Sequence, residues 1–238
     1  MLNKKRLGAG LAILASAVLV TGCDGLGDGW DRLTGWMGDS DREVDITAMS
    51  AEELADHLVL ETDSYRFEQE AQEGGTARDR MTQDGIQAAC SFEGAPDSDT
   101  AGEVIAMARE SYQEPPGGPR LGNWRRGAEL ARSGFGYRLG HNNDDHSQRE
   151  VGGNCYACHQ MDPSEELYGT LGPSLAGYGS TRGSDSAVVN YVHQVVSNPH
   201  QYFPCTIMPR FGRNNFLDEE QIAHIMAYLL DPDSPVNQ

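Results

Sequence analysis

Cys155 and Cys158 stand two residues apart and His159 follows directly, in the run Cys155-Tyr156-Ala157-Cys158-His159. C-x-x-C-H is the attachment motif of c-type haem. Thiols at this spacing add across the two vinyl groups of the porphyrin, and the next residue offers its imidazole to the iron. A thioredoxin-like dithiol and half of a zinc site are the rival uses of C-x-x-C. Neither needs the adjoining histidine, and no second C-x-x-C completes a four-ligand zinc set. One such motif implies one haem c.

The opposite axial position needs its own ligand, and a methionine there raises the haem potential, as suits an electron acceptor. Downstream of His159 the methionines are Met161, Met208 and Met226. Met161 is too close in sequence to reach the far face, and Met226 lies on the apolar stripe of a helix. Met208 falls in the connection Pro199 to Leu217, long for a structureless loop and stiffened by Pro204 and Pro209. It is the leading candidate, with His193, His200 and His224 as competitors. In Gly172-Pro173-Ser174-Leu175 the Pro173 carbonyl is placed to accept the His159 N–H and fix its tautomer, or the Gly-Pro pair is a plain turn. Arg182 and Arg210 are candidate partners for the haem propionates, or ordinary exposed arginines. His141, Asp144, Asp145 and His146 allow a metal cluster, but read better as a solvated polar loop.

The chain has 238 residues, and its start reads as a signal peptide over residues 1–22: Lys4, Lys5 and Arg6 precede an apolar run from Leu7 to Val20. That run is too short to span a membrane comfortably, and no later stretch approaches the ~20 apolar residues required. Val20, Thr21, Gly22 and Cys23 resemble a bacterial lipoprotein signal in which Cys23 is lipidated, ordinary cleavage being the alternative. A periplasmic chain tethered through Cys23 follows. Export also places the remaining thiols in an oxidising compartment. Cys90 and Cys205 are the two left over, and an even remainder suggests a disulfide between them. A reactive thiol or a bridge to another subunit are the alternatives.

The sequence holds 18 basic residues against 36 acidic ones, a net charge of −18, which argues against nucleic acid as a partner. Removal of the signal takes away three basic residues and no acid, leaving 15 basic residues, all arginine. A lysine-ringed docking face is thereby excluded. Residues 24–119 hold 6 basic and 23 acidic side chains, against 9 and 13 in residues 120–238. Two regions with different duties are expected.

Several helices must position these groups. Residues 23–44 alternate Gly, Asp and Trp without periodicity and read as a flexible tether. Ser50 with Glu53 forms a capping box for a helix from about Ala51 to Leu60. Ala77 to Cys90 reads as one helical stretch, and Val104 to Ala108 as another. Glu114 to Gly118, with two prolines and two glycines, divides an acidic helical region (45–118) from a haem domain (119–238). There Trp124 to Ala131 is helical, with Gly127 free to admit a second backbone. Val188, Tyr191, Val192 and Val195 mark a helix from Ser184 to Val196. Asp218 with Gln221 caps the last, whose Ile222, Ile225, Met226 and Leu229 form one stripe. No segment reads as a strand, so the fold is mainly α.

With these motifs in view, the sequence resembles the SoxX family, the monohaem cytochrome c subunits of the SoxAX complexes of bacterial sulfur oxidation. The residues carrying the resemblance are Gly153 to Gln160 (GNCYACHQ), Gly172 to Gly177 (GPSLAG), Ile207 to Gly212 (IMPRFG) and Ala227 to Asn237 (AYLLDPDSPVN). It covers residues 120–238, and longer members also look like Gln69 to Cys90. It implies a class I cytochrome c fold preceded by a small acidic helical region, with His159 and Met208 as axial ligands. It further implies a heterodimer with a SoxA-type subunit that carries the catalytic haem of an L-cysteine S-thiosulfotransferase. That complex joins thiosulfate oxidatively to a cysteine of a SoxYZ-type carrier. In this scheme the coupling releases two electrons, and the chain takes the released electrons, passes them to a downstream cytochrome and does not touch the sulfur substrate. The lipoprotein-like start, the acidic region and the Cys90 and Cys205 pair depart from the shorter members. Two rivals are a free-standing membrane-tethered electron shuttle, which would behave as a monomer beside SoxA, and a haem-based sensor.

Overall fold

Polar caps set most of the element boundaries. The computed structural model describes residues 44–62, 66–138 and 145–238. The signal segment, Cys23 and all of the tether before Val44 lie outside the described residues, as do His141 and Asp144. The described residues fall into two units that divide after Ala55.

In the first, Asp45 takes the Thr47 N–H and opens a 3-10 turn, Ile46–Ala48. Ser50 and Glu53 exchange reciprocal bonds that start α1 (Ala51–Asp56).

In the second unit, His57–Glu61 forms a π-turn closed by the Thr62 N–H on the His57 carbonyl, where the sequence pattern reads as continued α-helix. Thr76 and Asp79 cap α2 (Ala77–Met81), and Asp84 and Gln87 cap α3 (Gly85–Ala89). The single helix expected over 77–90 is therefore broken. Asp84 adopts an extended backbone in order to accept the Gln87 N–H, and helix cannot run through such a cap. Asp97 caps α4 (Ser98–Glu110), whose Val104 and Ala108 are fully buried. Together with Ile86 they form a small core, with Cys90, Met107 and Cys205 packed against it. Glu114 to Gly118, expected as a domain boundary, connects α4 to the next helix inside this unit.

The larger core belongs to the helices that follow. Asn123 caps α5 (Trp124–Arg132), Asp185 caps α7 (Ser186–Ser197) and the Asp218/Gln221 box caps α8 (Glu219–Leu230). A short helix, α6 (Tyr178–Arg182), precedes α7. α5 and α8 cross at Gly127, where a Cβ would lie 1.9 Å from the His224 carbonyl oxygen. Eight of the twelve α8 residues are buried, among them Ile222, Met226 and Tyr228 with no exposed surface. The C-terminal segment ties the ends together. Asn237 donates to the Leu229 and Asp231 carbonyls and accepts the Ser180 N–H, while the Val236 carbonyl accepts the Gly177 N–H. Among the described residues the only extended pairing is an isolated bridge between Glu70 and Thr76. The fold is mainly α.

One buried polar pair joins the C-x-x-C-H turn to this frame. Tyr156 and Tyr228 share a 2.6 Å hydroxyl contact, with the Arg132 guanidinium over both rings at 5.1 and 5.8 Å. Burial, reinforced by the Tyr156 hydroxyl, holds the Tyr228 phenol well above its usual range. Tyr228→Phe should lower folding stability by about 1–2 kcal/mol, because it leaves a buried hydroxyl without its partner. Urea unfolding checks this, and an unchanged midpoint contradicts it.

Candidate functional site

Asn154, in the left-handed region at φ 47, turns the chain into a 3-10 turn, Cys155–Ala157. The Cys158 and His159 N–H groups both return to the Cys155 carbonyl, at 3.1 and 2.9 Å. Such a wrap presents two thiols and an imidazole from five consecutive residues. Cys155 and Cys158 are not bonded to each other, whereas Cys90 and Cys205 are joined with Cα atoms 5.3 Å apart. Burial pushes the Cys155 thiol up to about 12.

A second segment, residues 169–175, lies against the motif. The Gly169 N–H donates to the Tyr156 carbonyl, Gly172 to Cys158 and Leu175 to Gln160, all within 2.9 Å. Its glycines are required by contact rather than by dihedral. A Cβ on Gly169 would fall 1.8 Å from the Ala157 carbonyl oxygen, and one on Gly172 would fall 2.2, 2.5 and 2.8 Å from three atoms of the His159 ring. The segment then hands His159 its partner. The ring Nδ1 lies 2.7 Å from the Pro173 carbonyl oxygen. A carbonyl can only accept, so Nδ1 carries the proton and Nε2 keeps the lone pair a metal needs.

Met208 is half-buried at the margin of the main core. The other methionines and the candidate histidines are engaged elsewhere. Met161 and Met226 lie inside the core, 2% and 0% exposed. Buried His193 uses both ring nitrogens, on the Tyr112 hydroxyl (2.8 Å) and the Glu219 carboxylate (2.9 Å). His200 Nδ1 accepts the Cys205 N–H at 3.1 Å, and His224 Nδ1 accepts the Asn123 N–H at 2.9 Å. None of these pairings was legible in helical periodicity.

The arginines divide. Arg182 is exposed in the last turn of α6. Arg210, read from sequence as a partner for a propionate or else an ordinary exposed arginine, is not exposed: it is buried and ion-paired to Asp84 at 2.6 Å. Burial alone would raise Asp84, but the Gln87 N–H and the Arg210 guanidinium outweigh it and hold its carboxyl below the usual range. In the polar loop, His146 is flanked by Phe135 and Tyr137 with ring centroids 4.9 Å away, and its Nε2 meets Gln72. Asp145 caps Ser147. Among the described residues no three His, Cys, Asp or Glu side chains are grouped to hold a metal ion.

Burial, with the nearby Arg210 charge, pulls the His200 imidazole below its ordinary value. A histidine kept neutral by folding takes up its proton more readily in the unfolded chain. Its contribution is therefore complete above the unfolded value near ~6.5 and declines as pH falls through it. The urea midpoint should drop between neutral pH and about pH 5. His200→Gln should flatten that limb, and a variant with the wild-type slope contradicts the assignment.

The donor set fits a covalently held haem: two unbridged thiols at the required spacing, an imidazole with an oriented Nε2, and glycines that admit its ring. The cytochrome c family model matches residues 148–231. A protein described as an uncharacterized lipoprotein, from Aquifex aeolicus (strain VF5), is 37% identical over 158 residues, covering 66% of this chain and 73% of the relative. The crystal structure of SoxXA from P. pantotrophus aligns with 23% identity and a TM-score of 0.35, over 51% of this chain and 90% of that one.

Proposed function

The chain belongs to the family of the Aquifex aeolicus lipoprotein and carries a cytochrome c domain at residues 148–231, and from that premise we propose that it is the single-haem electron-transfer subunit of a SoxAX-type complex. Electron transfer is the chemistry of the domain itself. The Sox assignment is the finer step, supported by the IMPRFG and AYLLDPDSPVN segments. In this reading Cys155 and Cys158 hold the haem covalently, and His159 and Met208 are its axial ligands. Once bound, the haem supplies a one-electron carrier of raised potential.

The chain's own residues do the rest. Pro173 fixes the His159 ring and its tautomer. Gly172 keeps the second segment flat against that ring. The α5–α8 core and the Tyr156–Tyr228 pair hold the motif turn in place. The observation that carries the reading is the His159 to Pro173 bond directly after the two thiols, because a redox dithiol needs no oriented histidine there. Thiosulfate and the SoxYZ-type carrier cysteine meet on the partner subunit, and a downstream cytochrome takes the electrons onward. Lipidated Cys23 tethers the chain at the periplasmic face of a membrane, which the description of the Aquifex aeolicus relative supports.

Gentle isolation of the native protein followed by mass spectrometry tests the assignment. A SoxA-type haem protein should copurify in fixed ratio, and the pair should reduce a downstream cytochrome only when both thiosulfate and carrier are supplied. A stable monomer with no such partner would overturn the complex and leave a tethered electron shuttle.

A further inference from the structure

Met208 lies in a connection without α-helix, yet one short helix outside the cytochrome c match at residues 148–231 reaches that connection on both sides. α3 has five residues, and each of its capping residues is bonded to the connection. The N-cap Asp84 accepts the Gln87 N–H on Oδ1 at 2.9 Å and the Arg210 guanidinium on Oδ2 at 2.6 Å. The C-cap Cys90 is joined to Cys205. One bond lands three residues before Met208 and the other two residues after it. Cys205 is held at φ 57, a left-handed conformation uncommon for a residue other than glycine, and its N–H is taken by His200.

The helix making these bonds is itself fixed. Ile86 packs on Val104 and Ala108 of α4. The residues following α4 are bonded to the haem domain, Ser111 Oγ to Asn198 Nδ2 at 3.3 Å and the Tyr112 hydroxyl to His193. We infer that α3, backed by α4, is an external brace that sets the position of Met208, with Asp84, Arg210, Cys90 and Cys205 as positioning residues. The inference rests on the reading of Met208 as an axial ligand. Its physical basis is loop entropy. Fixing both flanks confines the free span to residues 206–209, where without the brace the nearest restraints are the turn over Pro199 to Phe203 and the Arg213 N–H on the Ser197 carbonyl. A methionine–iron bond is thereby favoured over solvent or an exogenous ligand without any further contact to the sulfur.

The test uses the haem-loaded full chain and three variants: Asp84→Asn, the double Cys90→Ser/Cys205→Ser, and all three changes together. Asparagine is as good an N-cap as aspartate, so D84N removes the charge pair while keeping the helix start and the disulfide. Two readouts report the ligand and not general stability. One is the weak far-red absorption band of methionine-ligated ferric haem, and the other is carbon monoxide binding to the reduced protein. D84N should raise the methionine-displaced fraction about tenfold, from loss of one charge-assisted bond. The triple variant should exceed both partial variants, with effects that do not multiply, since both bonds restrain one loop.

A band present in the wild type, lost in Met208→Leu and unchanged in all three variants would overturn the brace and leave the ligand assignment standing. A band absent from the wild type, or persisting in M208L, would remove the ligand assignment and the brace with it. Should the double serine variant fail to fold, D84N decides alone.

Discussion

Gly172→Ala should strip His159 of its fixed orientation. A Cβ at this position meets the whole edge of the imidazole, 2.2 Å from Cε1 and 2.5 Å from Nδ1, whereas ordinary carbon contacts begin near ~3.5 Å. Relief requires a shift of about 1 Å, taken either by the ring or by the 172–173 backbone. Both routes break the 2.7 Å bond to the Pro173 carbonyl. Loss of the group that orients a metal-bound histidine typically weakens the site ten- to a hundredfold, and an effect of about that size is expected here. In the haem-loaded protein it should appear as a high-spin fraction in the ferric spectrum and faster carbon monoxide binding once reduced. A spectrum matching the wild type would show that the ring does not depend on this contact.

A second glycine substitution should act on the fold instead. In a helix interior, alanine is favoured over glycine by about 0.8–1 kcal/mol, so propensity alone predicts that Gly127→Ala stabilises. Packing predicts the opposite, because the new Cβ would lie 1.9 Å from the His224 carbonyl oxygen and 2.9 Å from Tyr228 Cβ. The α5–α8 crossing is the centre of the main core, and separating the helices would loosen every side chain between them. A net loss of about 3 kcal/mol or more is expected, a fall of at least ~6 °C in Tm. Gly102→Ala is the matched control. It sits in α4 with nothing within 4 Å of the new carbon, so propensity should act unopposed and raise stability by about 1 kcal/mol. Equal responses at the two positions would contradict the packing argument.

What the sequence makes legible follows from the range of the interactions involved. Caps are local, so Ser50 with Glu53 and Asp218 with Gln221 announced their helices correctly. Apolar stripes are local too, and α7 and α8 fall within two residues of their expected ends. Gly127 was readable as a point of close approach, though not which helix approaches. The break between α2 and α3 carries its own signal, the Asp84 and Gln87 pair, which the single stretch over 77–90 passes over. Short elements such as α6 and the turn at Pro199–Gln201 have too few residues for periodicity to act. Asp84 with Arg210 and Tyr112 with His193 join residues 126 and 81 positions apart, and no local pattern encodes such pairings. That Cys155, Cys158 and His159 lie together on one turn could be read directly, because they fall within five consecutive residues.

The α5–α8 crossing also fixes an order of events in time. A chain delivered from its N-terminus, by ribosome or by export channel, presents α5 first, the Cys155 to His159 motif next and α8 almost last. Until residues 219–230 arrive, Gly127 has no His224 carbonyl to receive, and Tyr156 has no Tyr228. Contacts of such separation are slow to form even in a complete chain. The motif therefore passes through an interval in which its thiols are delivered but the frame that will enclose them does not yet exist. In that interval both sulfurs can be reached without opening a core. Shortening it, for example by circular permutation that places α8 ahead of α5, would set folding in direct kinetic competition with cofactor attachment.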